Sequence, residues 1–291
     1  MTTMAEGSIR MLVDAGATKS HFVLLKERGV LSEFALPGLN ANYSGNEEVM
    51  AVFSDAVAKI PKGESVDRID YYGAGCATPR NAARIAELIC LFFPVAEIHV
   101  NSDLIAACRA LSGCESSIVC ILGTGSTSCL YDGSTMVKRA PSLGFMLGDE
   151  ASGTCLGKLF VKEYLSGTLS VSARDFFEKE TGLTEETVLV KLYQEPHPNR
   201  FLSSLAPLVK ELENEKCVSK ILSVAFDEFF KVHRRYYPKS SNMEWNFTGS
   251  IAENFKQHLL EAAEENNCKI GRIVPAPMPL LIKFHNNNPG L

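Results

Sequence analysis

The chain has 291 residues, 46% of them hydrophobic and 22% charged, the composition of a globular protein long enough to hold two sizeable cores. A formal net charge of −5, with no run of Lys and Arg, argues against nucleic-acid binding as the main task, because phosphate backbones are held through clustered cations. No apolar stretch approaches the roughly 20 residues needed to span a bilayer, and the opening MTTMAEGSIR lacks the basic flank and long apolar run of a signal peptide.

Ile9 to Val13 is a short apolar segment ending on Asp14, and the turn Asp14-Ala-Gly-Ala-Thr-Lys-Ser20 feeds a second, His21 to Leu25. Val30 to Leu36 makes a third strand after Lys26-Glu-Arg-Gly29, so the chain opens on a β-meander. Beyond the polar loop Pro37 to Gly45, Asn46 is placed to cap a helix carrying Glu47 and Glu48 in its first turn and Val49, Phe53, Val57 and Ile60 on one face. Val66 to Tyr72 reads as a strand broken at Gly73-Ala74-Gly75, Pro79 to Phe92 as a helix and Glu97 to Val100 as a strand. Ser102-Asp103 then opens a helix running through Leu111.

The second half repeats this order. Ile118 to Leu122, Cys129 to Tyr131 and Thr135 to Lys138 form a second meander, followed by a helix from about Glu150 to Leu165. A mostly helical stretch from about Ser172 to Pro238 interrupts the scheme, and its Val218, Ile221, Leu222, Ala225, Phe226 and Phe229 follow helical spacing, which predicts a core stripe. Trp245 to Thr248 (strand), Ala252 to Glu264 (helix), Lys269 to Val274 (strand) and Pro277 to His285 (helix) complete the copy. The expected class is α/β, with two tandem units: residues 1–112, on which a helix at about 275–291 packs back, and residues 113–274, which carry the helical insertion 172–238.

Glycine allows backbone N–H groups to approach an anion, and hydroxyls add donors, so the turn Gly123-Thr124-Gly125-Ser126 suits a phosphate. One such hairpin is common. Here Asp14 to Ser20 superposes on Leu122 to Ser128, with Thr18 over Ser126 and Ser20 over Ser128, and two turns at equivalent places imply one ligand held between them. Only the first copy has an aspartate at the strand end, which fits a metal on one side of the phosphates. The nine cysteines are an odd number without a CxxC pair and the six histidines show no HxH or HExxH spacing, so neither a disulfide framework nor a zinc site is expected, and the predicted setting is the reducing cytoplasm.

These segments resemble the sugar kinase, heat-shock ATPase and actin superfamily, and within it the branch of N-acetylglucosamine kinases and BadF/BcrA-type ATPases. DAGATKS resembles the first phosphate loop, NSDLIAA the segment with the catalytic aspartate, ILGTGSTSCLYDG the second phosphate loop and FTGSIAENF the adenosine motif, while LGFMLGDEASG is closest to the amino-sugar kinases. The resemblance implies two ribonuclease H-like (actin-like ATPase) domains with a nucleotide cleft between them, ATP and Mg²⁺ as cofactors, and transfer of phosphate to an amino sugar, foremost N-acetylglucosamine at its 6-hydroxyl. It further implies that Asp14 orients the magnesium through water, that Gly16, Ala17, Thr18 and Lys19 surround the phosphates, and that Thr124 and Gly125 hold them from the other side. Gly249, Ser250 and Ile251 would lie against the adenosine, and Asn42, Asp103, Gly144 and Asp149 would grip the sugar, with Asp103 as catalytic base. Its partner is a small sugar rather than nucleic acid or membrane, and a homodimer is left open.

Each acid also has a plainer reading. Asp103 is well placed as a helix N-cap, Asp149 and Glu150 as residues that open a helix and complement its dipole, and Lys19 as a solvated turn residue. Two alternatives to a kinase stay in view, an ATP-driven activator that passes electrons from a shared iron–sulfur cluster to a dehydratase and a sugar sensor without turnover. The activators carry a cysteine where this chain has Ala151, and the presence of Asp103 speaks against a sensor. The chain also has Ser44 where mammalian-type amino-sugar kinases have tryptophan, and the stretch 172–238 carries no recognisable motif.

Overall fold

The computed structural model describes residues 7–238 and 242–290. It divides into two compact units, Met1–Cys114 with Pro277–Leu291, and Glu115–Ala276. Among the described residues, no helix is long and apolar enough to cross a membrane.

In the first unit β1 (Ile9–Ala15), β2 (Lys19–Lys26) and β3 (Gly29–Pro37) form the antiparallel meander. Helix α1 (Asn46–Ala58) leads to β4 (Arg68–Gly73), parallel to β1, and α2 (Pro79–Cys90) leads to β5 (Glu97–Ser102), parallel to β4. Helix α3 (Asp103–Ser112) follows without a linker, and the sheet order is β3-β2-β1-β4-β5. Side chains alternate across a strand, and β1 uses both faces. Met11 and Val13 pack with Val49 and Phe53 of α1 and Ile85 and Ile89 of α2, whereas Leu12 packs with Tyr72 and with Ala106 and Ala110 of α3. The sheet is thus covered on both sides, which suits its parallel strands. Asn46 does not cap α1: Gly45 holds the cap position without a side-chain bond, and Asn46 is already the first helical residue.

The second unit repeats the topology. Strands β6 (Ser117–Leu122), β7 (Ser126–Tyr131) and β8 (Met136–Arg139) form its meander. A short helix α4 (Gly144–Leu147) precedes α5 (Gly153–Leu165), after which the insertion runs through α6 (Val171–Thr181), α7 (Glu185–Tyr193), α8 (Pro198–Ser204), α9 (Ala206–Glu211) and α10 (Lys216–Arg234). Strand β9 (Glu244–Thr248) pairs parallel to β6, then come α11 (Ser250–Asn254), α12 (Lys256–Glu265) and β10 (Lys269–Val274), giving the order β10-β9-β6-β7-β8. The insertion is not an appendage. Its Phe177, Phe226, Phe229 and Phe230 share one core with Phe160 of α5 and Phe247 of β9, and the whole expected stripe of α10 is buried. The last helix, α13 (Met278–Asn287), joins the first unit, where Met278 and Leu281 close the cluster around Leu12.

Three further sequence expectations are corrected. The helix expected from Glu150 begins only at Gly153, with Ser152 as N-cap accepting the Cys155 N–H at 3.1 Å, because Asp149 and Ala151 take left-handed φ values of 60° and 52°. The helix expected over 252–264 is broken at Phe255, which is buried at φ −109° and ψ 28° between α11 and α12. The two phosphate-type turns do not superpose residue for residue either. Ala15 pairs with Ser20, leaving Gly16, Ala17, Thr18 and Lys19 between the paired residues of β1 and β2, whereas Leu122 pairs with Ser126 and leaves only Gly123, Thr124 and Gly125.

Candidate active site

The three parallel strands of the first sheet end together, Asp14 opposite Tyr72 and Gly73 opposite Ser102. Ligands of α/β sheets gather at such carboxyl ends, and here two acids arrive there. Asp14 is the penultimate residue of β1, and Asp103 is the first residue of α3 directly after β5. Both are half-buried. Loss of hydration, and then the charge of Asp103, push the Asp14 carboxyl up to about 7. Asp103 also helps raise Tyr71 well above its ordinary value and Cys76 to about 12, in each case behind burial as the larger cause. Its negative charge is therefore felt across the end of the sheet. Ser102, not Asp103, is the N-cap of α3, and it makes no capping bond. Instead the Asp103 carboxylate accepts the N–H of Leu104 at 2.9 Å, a hydrogen bond that takes up one of its two oxygens.

The loop with Asn42 is held from α2. Asn81 donates to Asn42 Oδ1 at 2.8 Å and to the Gly75 carbonyl at 2.9 Å, while Asn40 Oδ1 accepts the Asn42 N–H at 3.0 Å. Arg84 donates to the carbonyls of Ala41 and Ser44 at 2.8 and 3.2 Å and to Asn46 Oδ1 at 2.8 Å. Ser44, which stands where tryptophan was expected by resemblance, is buried, and its hydroxyl accepts the Asn40 N–H at 3.2 Å. Asn42 itself stays exposed. The first phosphate-type turn is closed by Gly16 N–H on the Lys19 carbonyl at 3.0 Å and backed by Gly38, whose N–H donates to Thr18 O at 3.1 Å. A Cβ on Gly38 would lie 2.4 Å from the Thr18 carbonyl carbon, so only glycine lets the loop seat there. Thr18 and Lys19 face solvent.

In the second unit the start of α5 docks on the turn after β6. The N–H groups of Gly153 and Thr154 donate to the carbonyls of Gly123 and Thr124 at 2.8 and 3.1 Å, and the Thr154 hydroxyl donates to Thr124 O at 2.7 Å. A helix start normally leaves such donors unmet, and here the carbonyls of the turn take them up. Gly249 backs the same turn at φ 118°, a conformation open to glycine, and a Cβ on it would meet the Leu122 carbonyl at 2.1 Å. Of the residues expected near adenosine, Ser250 is exposed, whereas Ile251 is buried in the core. Asp149 does not open a helix: it lies in the loop before α5 and accepts the Ser126 N–H on Oδ1 at 3.2 Å. Burial raises its carboxyl despite that bond. A Cβ on Gly125 would stand 3.1 Å from Asp149 Oδ2, so the turn and the acid touch. Gly144 begins α4 at φ 71°.

The structure thus assembles Asp14, Asp103 and the Asn42 loop in the first unit, and Thr124, Gly125, Gly144 and Asp149 near one another in the second. Sequence reasoning missed the supports: Gly38, Asn40, Gly75, Asn81, Arg84 and Thr154. Asn81 and Arg84 lie about 40 residues from the loop they hold, and no local pattern marks such a pair. Among the described residues, no three His, Cys, Asp or Glu side chains come close enough to cage a metal ion.

No protein-family model matches the chain, and no curated protein does. Solved structures match throughout. A Porphyromonas gingivalis protein provisionally named an N-acetylglucosamine kinase is 33% identical over 96% of this chain and 99% of its own, with a TM-score of 0.91. A Chromobacterium violaceum protein with the same provisional name is 19% identical over 96% of this chain and 99% of its own, TM-score 0.76. A ROK family glucokinase from Streptomyces griseus, in complex with glucose and AMPPNP, is 13% identical over 97% and 99%, TM-score 0.62, a likeness of fold alone.

Proposed function

The chain belongs to the branch of N-acetylglucosamine kinases and BadF/BcrA-type ATPases in the sugar kinase, heat-shock ATPase and actin superfamily and is an ATP-dependent carbohydrate kinase with a two-domain actin-like ATPase fold, and from that premise we propose that it phosphorylates N-acetylglucosamine at the 6-hydroxyl. The observation that carries the proposal is the pair Asp14 and Asp103 at one end of the first sheet, close enough for the charge of one to raise the other. Phosphoryl transfer to an alcohol asks a protein for position and charge rather than covalent chemistry. Asp103, whose carboxylate also accepts the Leu104 N–H, takes the proton of the sugar hydroxyl as the hydroxyl attacks the γ-phosphate and ADP leaves. Asn42, Gly144 and Asp149 bind the other sugar groups, and the turns Gly16 to Lys19 and Thr124-Gly125 direct backbone N–H groups at the phosphates.

Magnesium fits the residues present. It keeps several waters and takes few carboxylates, which agrees with the absence of a protein cage among the described residues and with a lone strand-end acid whose ionised form a cation would favour. Asp14 would hold it through water, and when bound it supplies positive charge to the phosphoryl oxygens. The amino sugar as acceptor is supported by the run LGFMLGDEASG and by the names of the Porphyromonas and Chromobacterium proteins. A cytoplasmic setting belongs to the same reading, in keeping with nine free cysteines. The test is a coupled ADP-release assay over hexoses and amino sugars, with phosphorus NMR to locate the phosphate. N-acetylglucosamine should give the highest kcat/KM and a 6-phosphate; preference for an unsubstituted hexose would overturn the amino-sugar assignment, and no turnover of any sugar would overturn the kinase.

A further inference from the structure

A buried chain of polar groups runs through the second unit to the residue beside Asp149. Tyr237 accepts the Ala140 N–H at 3.1 Å, its hydroxyl lies 2.8 Å from Ser128 Oγ, and Ser128 Oγ lies 2.6 Å from Nδ1 of His233. The other ring nitrogen of His233, Nε2, faces Glu150 Oε2 across 3.7 Å. His233 is 4% exposed and its ring stacks on Phe229 at 4.1 Å between centroids. The amide of Ala140 must donate, so the Tyr237 oxygen accepts. At the other end, the contact with the Glu150 carboxylate requires a proton on Nε2 of His233.

The far end of the chain is a strained loop. Asp149 and Ala151 both take left-handed φ values, and a run with two such residues that are not glycine persists only where its surroundings hold it. Three anchors do so: Ser126 N–H on Asp149, Ala151 buried in the core, and His233 on Glu150. The first two come from the repeated α/β unit, and the third comes from the last turn of α10 in the insertion. Glu150 is held below the usual carboxylate range, with His233 the largest cause, so the contact favours the ionised acid.

We propose that His233 is a positioning residue for the acceptor sugar: through Glu150 it holds the Asp149 loop in the conformation that binds the sugar, and this is the task of the helical insertion in catalysis. The proposal rests on the reading of Asp149 as a sugar-binding residue. Glutamine at 233 can place a donor where Nε2 stands, whereas asparagine reaches only as far as Nδ1. His233→Asn and His233→Ala should therefore raise the sugar KM about 10-fold, with kcat within about threefold and the ATP KM unchanged, and His233→Gln should restore most of the sugar KM. Equal behaviour of the Gln and Asn variants, or a loss of thermal stability with an unchanged sugar KM, would overturn it. Two readouts need no substrate. Nitrogen-15 NMR of the ligand-free protein should show His233 with a proton on Nε2, and the Ser126 amide should exchange at least about 10-fold faster in the Ala and Asn variants but not in Gln. A bare Nε2, or unchanged exchange, sinks the proposal even if no sugar is turned over, an outcome that would by itself remove only the kinase reading.

Discussion

The first and second units build the same sheet and spend its end differently. In the first, β1 carries one residue from its end an acid whose side chain accepts no hydrogen bond from the described residues and is pushed up to about 7 by burial and by Asp103. In the second, β6 ends on the aliphatic Ile121 and Leu122, and the acid nearby, Asp149, comes from a loop and is held by the Ser126 N–H. The turn itself is gripped by α5 through Gly153 and Thr154, whereas in the first unit Gly38 backs a turn one residue longer. A duplicated scaffold need not duplicate its chemistry. Carboxylates at a sheet end suit a proton acceptor and a cation, and restrained backbone suits an anion.

The largest test of that division is Asp103→Asn. Fold and ATP binding should survive, with turnover down by about 10²- to 10⁴-fold, the scale for losing a general base, while Asp149→Asn should act mainly on the sugar KM. Near-normal turnover in Asp103→Asn would reduce the residue to a helix-start acceptor for Leu104.

Asp14 should mark the first unit by its pH dependence. Its folded-state value of about 7 lies above the ordinary 3.8, so the folded chain takes up the proton more readily than the unfolded one. The resulting stability is complete below about pH 4 and is lost as the pH rises through about 7. Asp14→Asn has no such proton to lose. In EDTA the variant and the parent should unfold alike at pH 4, and at pH 8 the variant should be more stable by up to about 4 kcal/mol. Parallel stability curves from pH 4 to 8 would mean that Asp14 is well solvated.

Gly249→Ala adds a Cβ 2.1 Å from the Leu122 carbonyl at a φ of 118° and should cost about 2–3 kcal/mol in denaturant unfolding. Gly38→Ala, with its clash against Thr18, should cost less if the longer turn of the first unit can shift. Equal costs would show the two turns to be equally rigid. The smallest effect is expected for Thr154→Val, which removes the hydroxyl bonds to Thr124 O and Asn199 O and should destabilise by about 1 kcal/mol. The ATP KM should rise with it, and an unchanged ATP KM would uncouple α5 from the phosphate turn.

Much of this was legible along the chain. The strands, the repeat, the apolar stripe of α10 and the place of Asp14 and Asp103 at strand ends follow from local periodicity and turn chemistry, which depend on residues close in sequence. The start of α5 was not, since Asp149 and Glu150 read locally as a helix opening. What moves the start to Gly153 is a left-handed loop kept by Ser126, by burial of Ala151 and by His233, each brought from elsewhere. Nothing along the chain singles out Arg84, and only folding sets it over the carbonyls of Ala41 and Ser44. By itself, then, the order of residues determined the duplicated α/β framework and which acids sit at its strand ends, because side-chain alternation and turn-forming glycines act over a few residues. Tertiary structure alone decided how each acid is tuned and which side chains hold the binding loops, because desolvation and hydrogen bonding depend on groups that become neighbours only when the chain is folded.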